Sequence, residues 1–405
     1  MSDINQRDAI KAWKKKFFDI ALFIYFIAYF FHYNASEVDA RIRLIGTVLL
    51  LISGILINLD NYKKISTATL WYLGFILMAA FSSLWAIDSH QVTSILITLI
   101  RVLIVGHFIS VRVTNERDVE RVLSIYLIAT VYMCIRIGLL MANYYSFSLI
   151  YVTRFGDNFG YNSNSTAIMC LICILICIHK LEIREKKLFF IPLIVFFLII
   201  MISTASKKGL FGLCFGIFLM LYYKNQNKRL QNIIYAIVIV SGIYIACMTI
   251  PELYNQIGAR IESMVSTLTG ASNASYSTES RIFLIKSAIS AWKSKPLLGI
   301  GLNNFSVFQS TKENWYTHCN YVEILSEIGL IGFAIYYWYP FRLVRAKYYE
   351  YNGLGRMLKV IIIILLIFDF AMVSYQELFS LIFFWLYESV SRKKRQIVLG
   401  SKSKT

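Results

Sequence analysis

Long apolar runs, separated by short polar connections, recur along the whole chain, and this pattern leaves very few folds open. A helix crosses the hydrocarbon core of a bilayer with about 20 mostly apolar residues. Runs of that size fall at roughly 17–33, 44–60, 67–86, 93–111, 121–142, 165–179, 187–204, 209–223, 231–250, 320–341, 357–374 and 377–391. They predict an all-α, polytopic integral membrane protein with about 12 transmembrane helices. Composition points the same way, with 58% hydrophobic and 16% charged residues and 4 prolines among 405. Soluble domains hold about 45–50% and about 25%, so an ordinary soluble enzyme, a disordered protein and a disulfide-rich secreted module are excluded.

The formal charge is +18. The basic residues form small clusters between apolar runs instead of one stripe, which argues against nucleic acid as a partner and for orientation in a membrane. With both termini cytoplasmic, the inside segments hold 28 Lys and Arg and the outside segments 11, while Arg101 and Arg136 fall within spans. That bias favours this orientation. The first run follows a basic arm but has no small-residue cleavage site, so it reads as a retained helix and not a removed signal peptide. The expected organisation is a cytoplasmic arm over 1–16, helices over 17–250, a large extracytoplasmic loop over 251–317, helices over 320–391 and a basic cytoplasmic tail over 392–405. Six of the seven cysteines lie in apolar runs as small hydrophobes. Cys170, Cys173 and Cys177 share one side of a helix but lack a His or carboxylate neighbour, so no metal site is expected there.

The 251–317 connection has 67 residues and its own helical patterning. Leu253, Ile257, Ile261, Met264, Val265 and Leu268 recur at helical spacing, as do Ile282, Ile285, Ile289 and Trp292. Between them, Gly270 to Ser280 reads as a flexible connector. The loop carries six basic and four acidic residues. This balance suits a discrete anionic group, such as a membrane-borne phosphate or diphosphate, better than a long polyanion. For Lys286, Lys293, Lys295 and Lys312 the preferred reading is a solvated surface helix or contact with lipid headgroups, since charged faces are usually solvated.

Three places outside the membrane are chemically loaded. Ser206-Lys207-Lys208-Gly209 forms a tight turn between two spans, where two ammonium groups either snorkel or reach a headgroup. Arg281 opens the loop's second amphipathic helix, a placement the helix dipole disfavours unless an anion is also drawn there. His318, within Thr317-His318-Cys319-Asn320-Tyr321-Val322-Glu323, is the one histidine of the loop. It stands where the chain re-enters the membrane, and a neutral imidazole there is able to accept a proton near pH 7.

The run from His318 to Tyr337, with Asn320, Glu323 and the Gly329-x-x-Gly332 pair, resembles the signature of the O-antigen ligase/polymerase superfamily. Its Asn320–Leu325 and Ile331–Tyr337 stretches are more similar to the Wzy-type repeat-unit polymerases of O-antigen and capsule. Arg281 with Trp292, Pro296 and Gly299-Ile300-Gly301 resembles the family's loop motif, Ser206–Gly209 its short turn, and Arg154 with Asn162 and Asn164 an Arg/Asn-rich segment. The resemblance covers about residues 150–340. Two positions depart from it: Lys207 stands where the family usually has Arg, and Cys319 where it usually has Asn, Ser or Gln. A lysine supplies a point charge in place of a bidentate fork.

The resemblance implies a glycosyltransferase of the bacterial inner membrane that polymerises polyprenyl-diphosphate-linked repeat units, inverting the sugar without a metal or other cofactor. Donor and acceptor glycans would be lipid-linked, a flippase and a chain-length regulator would be its partners, and membrane lipids would surround it. His318 and Arg281 would be catalytic, as base and first diphosphate ligand. Lys207, Lys208, Arg154, Asn164, Asn320 and Glu323 would bind substrate. Transfer of finished polymer to lipid A core is the alternative within the family. A lipid-linked oligosaccharide transporter is the alternative outside it, with Asp19, Arg101, Arg136 and Asp369 as ionisable groups in spans.

Overall fold

The computed structural model describes residues 2–31, 37–61, 65–144, 154–157, 161–183, 187–224, 226–259, 261–262, 266, 276–309, 316–346 and 353–402. Among them no strand occurs. The helices are α1 (Ser2–Phe31), α2 (Glu37–Asn61), α3 (Thr67–Ser82), α4 (Ser89–Arg112), α5 (Glu116–Tyr144), α6 (Ser163–Glu182), α7 (Lys187–Ser203), α8 (Lys207–Tyr222), α9 (Arg229–Thr249), α10 (Tyr276–Ser294), α11 (Phe305–Phe308), α12 (Asn320–Arg345), α13 (Gly353–Phe368) and α14 (Leu378–Lys402). Five carry segments long and apolar enough to cross a membrane: α2, α4, α5, α6 and α9. Shorter apolar helices occupy Thr67–Ser82, Phe189–Ser203 and Leu378–Val390. The chain is a polytopic helical membrane protein.

Two compact units form. The first comprises Met1–Tyr62, Arg112–Leu268 and Tyr348–Ile361. In it α1 packs on α2 and α5, α6 packs on α7 and α8, and α8 packs on α9. Residues 166–177 of α6 are buried throughout, including Cys170, Cys173 and Cys177, which are free thiols used as small core side chains. Asn162 caps this helix, its Oδ1 accepting the N–H groups of Asn164 at 2.9 Å and Ser165 at 3.3 Å. Asp19 accepts a bidentate pair from Arg112, at 2.9 Å from Nε and 2.8 Å from Nη2, and Arg112 Nη1 lies 2.7 Å from Asp118. Asp19, a candidate for a transport pathway by sequence, is thus held in a buried ion-pair network.

The second unit comprises Lys63–Val111, Thr269–Lys347 and Ile362–Thr405. Its core is aromatic: Trp71 of α3 stacks on Tyr339 at 5.0 Å, lies 5.5 Å from Tyr336, and donates its indole N–H to Tyr336 O at 2.7 Å. The start of α3 is capped by Glu388 of α14, which accepts from Thr67 N at 2.9 Å and Ala68 N at 2.6 Å. Tyr339 donates its hydroxyl to the same carboxylate at 2.8 Å.

Three sequence expectations need correction. The apolar run 357–374 does not continue as a helix past Phe368, because the polar groups of Asp369 and Ser374 fold the chain into a turn. The stretch expected as a connector up to Ser280 is helical from Tyr276, with Glu279 in the first turn of α10 where the helix dipole favours an acid. Arg281 therefore sits in the second turn and does not open the helix. In the loop's first helical stretch a turn at Pro251–Leu253 passes into a π-helical turn at Tyr254–Gly258. Met264, Val265, Leu268 and residues 270–275 lie outside the described residues.

Candidate active site

His318 has φ +58, in the left-handed region that is uncommon for a non-glycine residue. The surrounding bonds impose it. Thr317 Oγ1 accepts the Cys319 N–H at 3.1 Å and donates to Cys319 O at 2.8 Å. The Thr317 N–H donates to Glu323 Oε2 at 2.7 Å, and the Asn320 N–H reaches Asp369 O at 2.7 Å and Met372 O at 3.1 Å. The residues on both sides are fixed, and the half-buried imidazole lies against the Tyr316 ring at 4.0 Å between centroids. Strain retained by this many contacts is typical of functional positions.

Asn320 and Glu323 lie beneath this turn. Asn320 Oδ1 accepts from Ser374 N at 3.0 Å and Tyr375 N at 3.2 Å, and its Nδ2 donates to Tyr337 Oη at 2.8 Å and Asp369 Oδ2 at 3.2 Å. Both lone pairs and both protons are used, so this fully buried side chain ties the start of α12 to the Asp369–Tyr375 turn. The buried Glu323 carboxylate holds Thr317. Asp369 also accepts from Tyr337 at 3.0 Å and Ser374 at 2.5 Å. Burial pushes its carboxyl up to about 7, against the three side-chain bonds that favour the charged form.

About two turns further on, at Gly329, α12 is broken. Gly329 has φ +66 and ψ −169, so the N–H groups of Leu330 and Ile331 turn away from their own helix and donate to Pro296 O at 3.0 Å and Leu297 O at 3.3 Å. The carbonyls released, of Ser326 and Glu327, accept the N–H groups of Ile300 at 3.1 Å and Gly301 at 2.8 Å. The Pro296–Gly301 segment is thereby bonded into the break, which satisfies backbone that a bilayer would leave unpaired. A Cβ on Gly299 would overlap the Glu327 backbone, and one on Gly329 the Leu297 backbone. Glu327 Oε1 then accepts the Phe305 N–H at 3.1 Å and caps α11. Leu284 and Ala288 of α10 pack with Phe305 and against Val322 of α12. Arg281 precedes Leu284 by three residues and Ala288 by seven, so it lies on the same stripe of α10, half-buried.

The remaining candidates meet in the first unit. Arg154 donates from Nε to Thr204 O at 3.0 Å and pairs with Asp157 at 3.3 Å, while the Phe155 N–H reaches Ser203 O at 3.0 Å. Ser206 caps α8 through the Gly209 N–H at 3.3 Å and donates its own hydroxyl to Asn164 Oδ1 at 2.9 Å. Lys207 and Lys208 are the first two residues of α8, both half-buried. Two ammonium groups at a helix N-terminus, beside Arg154, concentrate positive potential where an anion is favoured. No group of three or more His, Cys, Asp or Glu able to hold a metal occurs among the described residues.

The family model described as O-antigen ligase matches residues 192–337. The matched stretch runs from α7 into α12 and contains Lys207, Lys208, Arg281, His318, Asn320 and Glu323. This match supports the resemblance of the chain to the O-antigen ligase/polymerase superfamily. Members of the superfamily are glycosyltransferase-like enzymes. Arg154 and Asn164 lie outside the matched stretch, yet each bonds to a residue within it, Thr204 and Ser206. No curated protein matches the chain.

Sequence reasoning missed Glu327, Tyr337 and Ser374 and read Asp369 as part of a transport pathway. The available signal was four-residue spacing: Glu327 follows Glu323 by one turn in an otherwise apolar run.

Proposed function

We propose that the chain polymerises polyprenyl-diphosphate-linked oligosaccharide repeat units into O-antigen or capsular polysaccharide on the outer face of the inner membrane. Transfer of polymer to lipid A core is the same chemistry with a different acceptor. His318 Nε2 or Nδ1 takes the proton of an acceptor sugar hydroxyl as that oxygen bonds to the anomeric carbon. The bond from this carbon to the carrier diphosphate breaks on the opposite face, so the configuration inverts. Arg281, in the same compact unit as His318, is the first cation to offset charge growing on the leaving diphosphate; the resemblance assigns Lys207 and Lys208 as helpers and Arg154 as a further contact. Asn320 and Glu323 hold the turn that carries His318.

The observation that supports this reading best is the bonded framework that keeps His318 at positive φ, within the stretch matched by the O-antigen ligase family. The test is the surface-polysaccharide banding pattern of cells whose only copy carries His318→Ala or Arg281→Ala. The expected result is a core-plus-one-repeat band without a ladder, at unchanged membrane abundance. A full ladder from both variants would overturn the assignment, and polymer accumulating on the lipid carrier with no core-attached bands would instead mean ligation. Lys207→Arg should keep the ladder, since it restores the side chain usual in the superfamily.

A further inference from the structure

We propose that a second site, in the first unit and built from none of the residues above, binds a phosphate-bearing anion of the anionic-phospholipid class. The site is a cavity of about 720 Å³ lined by the start of α5, the end of α6 and the start of α13. Arg117 and Arg121 stand one turn apart on α5, an exposed pair facing the same cavity as Lys180. Arg121 is 61% exposed and meets Asp19 only at 3.4 Å, so its guanidinium has freedom to turn toward a ligand.

The interior of the cavity carries the stronger indication. His179 is 2% exposed, and its Nε2 lies 2.7 Å from Glu120 Oε1, while Lys180 pairs with the other oxygen of the same carboxylate. Its Nδ1 is buried and has no hydrogen-bond partner among the described residues. A buried polar atom left without a partner calls for an occupant. Gly353 covers this ring edge without a side chain; a Cβ there would stand 3.3 Å from Nδ1. The first N–H groups of α13 begin at the same residue. Arg117, Arg121 and Lys180 outnumber Glu116 and Glu120 by one charge, and Glu120 is already shared by Lys180 and His179.

A phosphate on the Arg117 and Arg121 guanidinium groups offsets the excess positive charge of the cavity. Ile183, 43% exposed, and Leu354 border the same cavity and suit an acyl chain at its edge. The lining residues belong to segments that the charge bias assigns to the cytoplasmic face, where basic pockets meet anionic lipid. A soluble phosphomonoester shares the headgroup's chemistry and is the competing source.

The test measures binding to the purified full-length protein in neutral detergent by native mass spectrometry, with dioleoylphosphatidylglycerol, dioleoylphosphatidylcholine and sn-glycerol 1-phosphate as probes. Phosphatidylglycerol should bind at least tenfold tighter than phosphatidylcholine. Arg117→Gln with Arg121→Gln should remove that preference, while Lys286→Gln with Lys293→Gln, on α10, should leave it intact. Comparable binding of sn-glycerol 1-phosphate, lost in the same double variant, would retain the phosphate site but assign it to a soluble ligand. Equal binding of the two lipids, or a preference that survives in the α5 variant, would overturn the proposal. The readout is independent of glycosyl transfer.

Discussion

His318 and Asn320 are two residues apart and carry different consequences. The histidine is half-buried, and the bonds that define its turn belong to its neighbours' backbone and to Thr317 and Glu323. His318→Ala should lower polymerisation by roughly 10²–10⁴-fold, the range for a lost acid–base group, and leave the thermal midpoint of the purified protein nearly unchanged. Asn320→Ala should lower the midpoint itself, since each buried group left unpaired costs about 1–3 kcal/mol. The groups at stake are the Ser374 and Tyr375 N–H, the Tyr337 hydroxyl and the Asp369 carboxylate. Side-by-side melting and activity curves separate the two roles. His318 was legible in the sequence because a lone imidazole at a membrane boundary is conspicuous. The resemblance implies a substrate-binding role for Asn320, and its partners were invisible because they lie 17 to 55 residues away in the chain.

Among the elements, α12 and the turn after α13 show where apolar periodicity stops being informative. Gly329 enters the sequence reading as half of the Gly329-x-x-Gly332 pair within an apolar span, with no sign that it breaks the helix and admits the Pro296–Gly301 segment. Gly329→Ala would bring a Cβ into the Leu297 carbonyl at a positive φ that alanine adopts poorly. The expected outcome is loss of folded protein, seen as increased protease sensitivity of the 269–318 segment. The run 357–374 likewise reads as continuous, because hydropathy averages over Asp369 and Ser374. Asp369 is held above its unfolded value, near 3.9, so its proton-linked stabilisation is complete below that pH and is lost as pH rises through about 7. The thermal midpoint of the wild type should therefore fall between pH 5 and 8 relative to Asp369→Asn. Parallel curves for the two proteins would show that Asp369 does not titrate there.

Over the whole molecule, sequence reading served well for helices and poorly for their grouping. Each span is a local pattern, but each compact unit is assembled from three separate stretches of chain, joined by long-range bonds such as Glu388 to Thr67 in the second and Arg112 to Asp19 in the first. Orientation rests on the distribution of 41 basic residues. An impermeant maleimide added to spheroplasts should label Ser290→Cys and spare Ser401→Cys until the membrane is opened. The reverse pattern would invert the assigned sidedness.

The bonded insertion at Gly329 also dictates an order of assembly. Pro296–Gly301 leaves the ribosome about 30 residues before Ser326–Ile331, the stretch it is bonded to. At synthesis rates of roughly 5–20 residues per second, those amide groups wait some seconds with water as their partner. The loop can reach its final shape only after α12 has been made, so residues 326–331 complete a structure begun about 30 residues earlier.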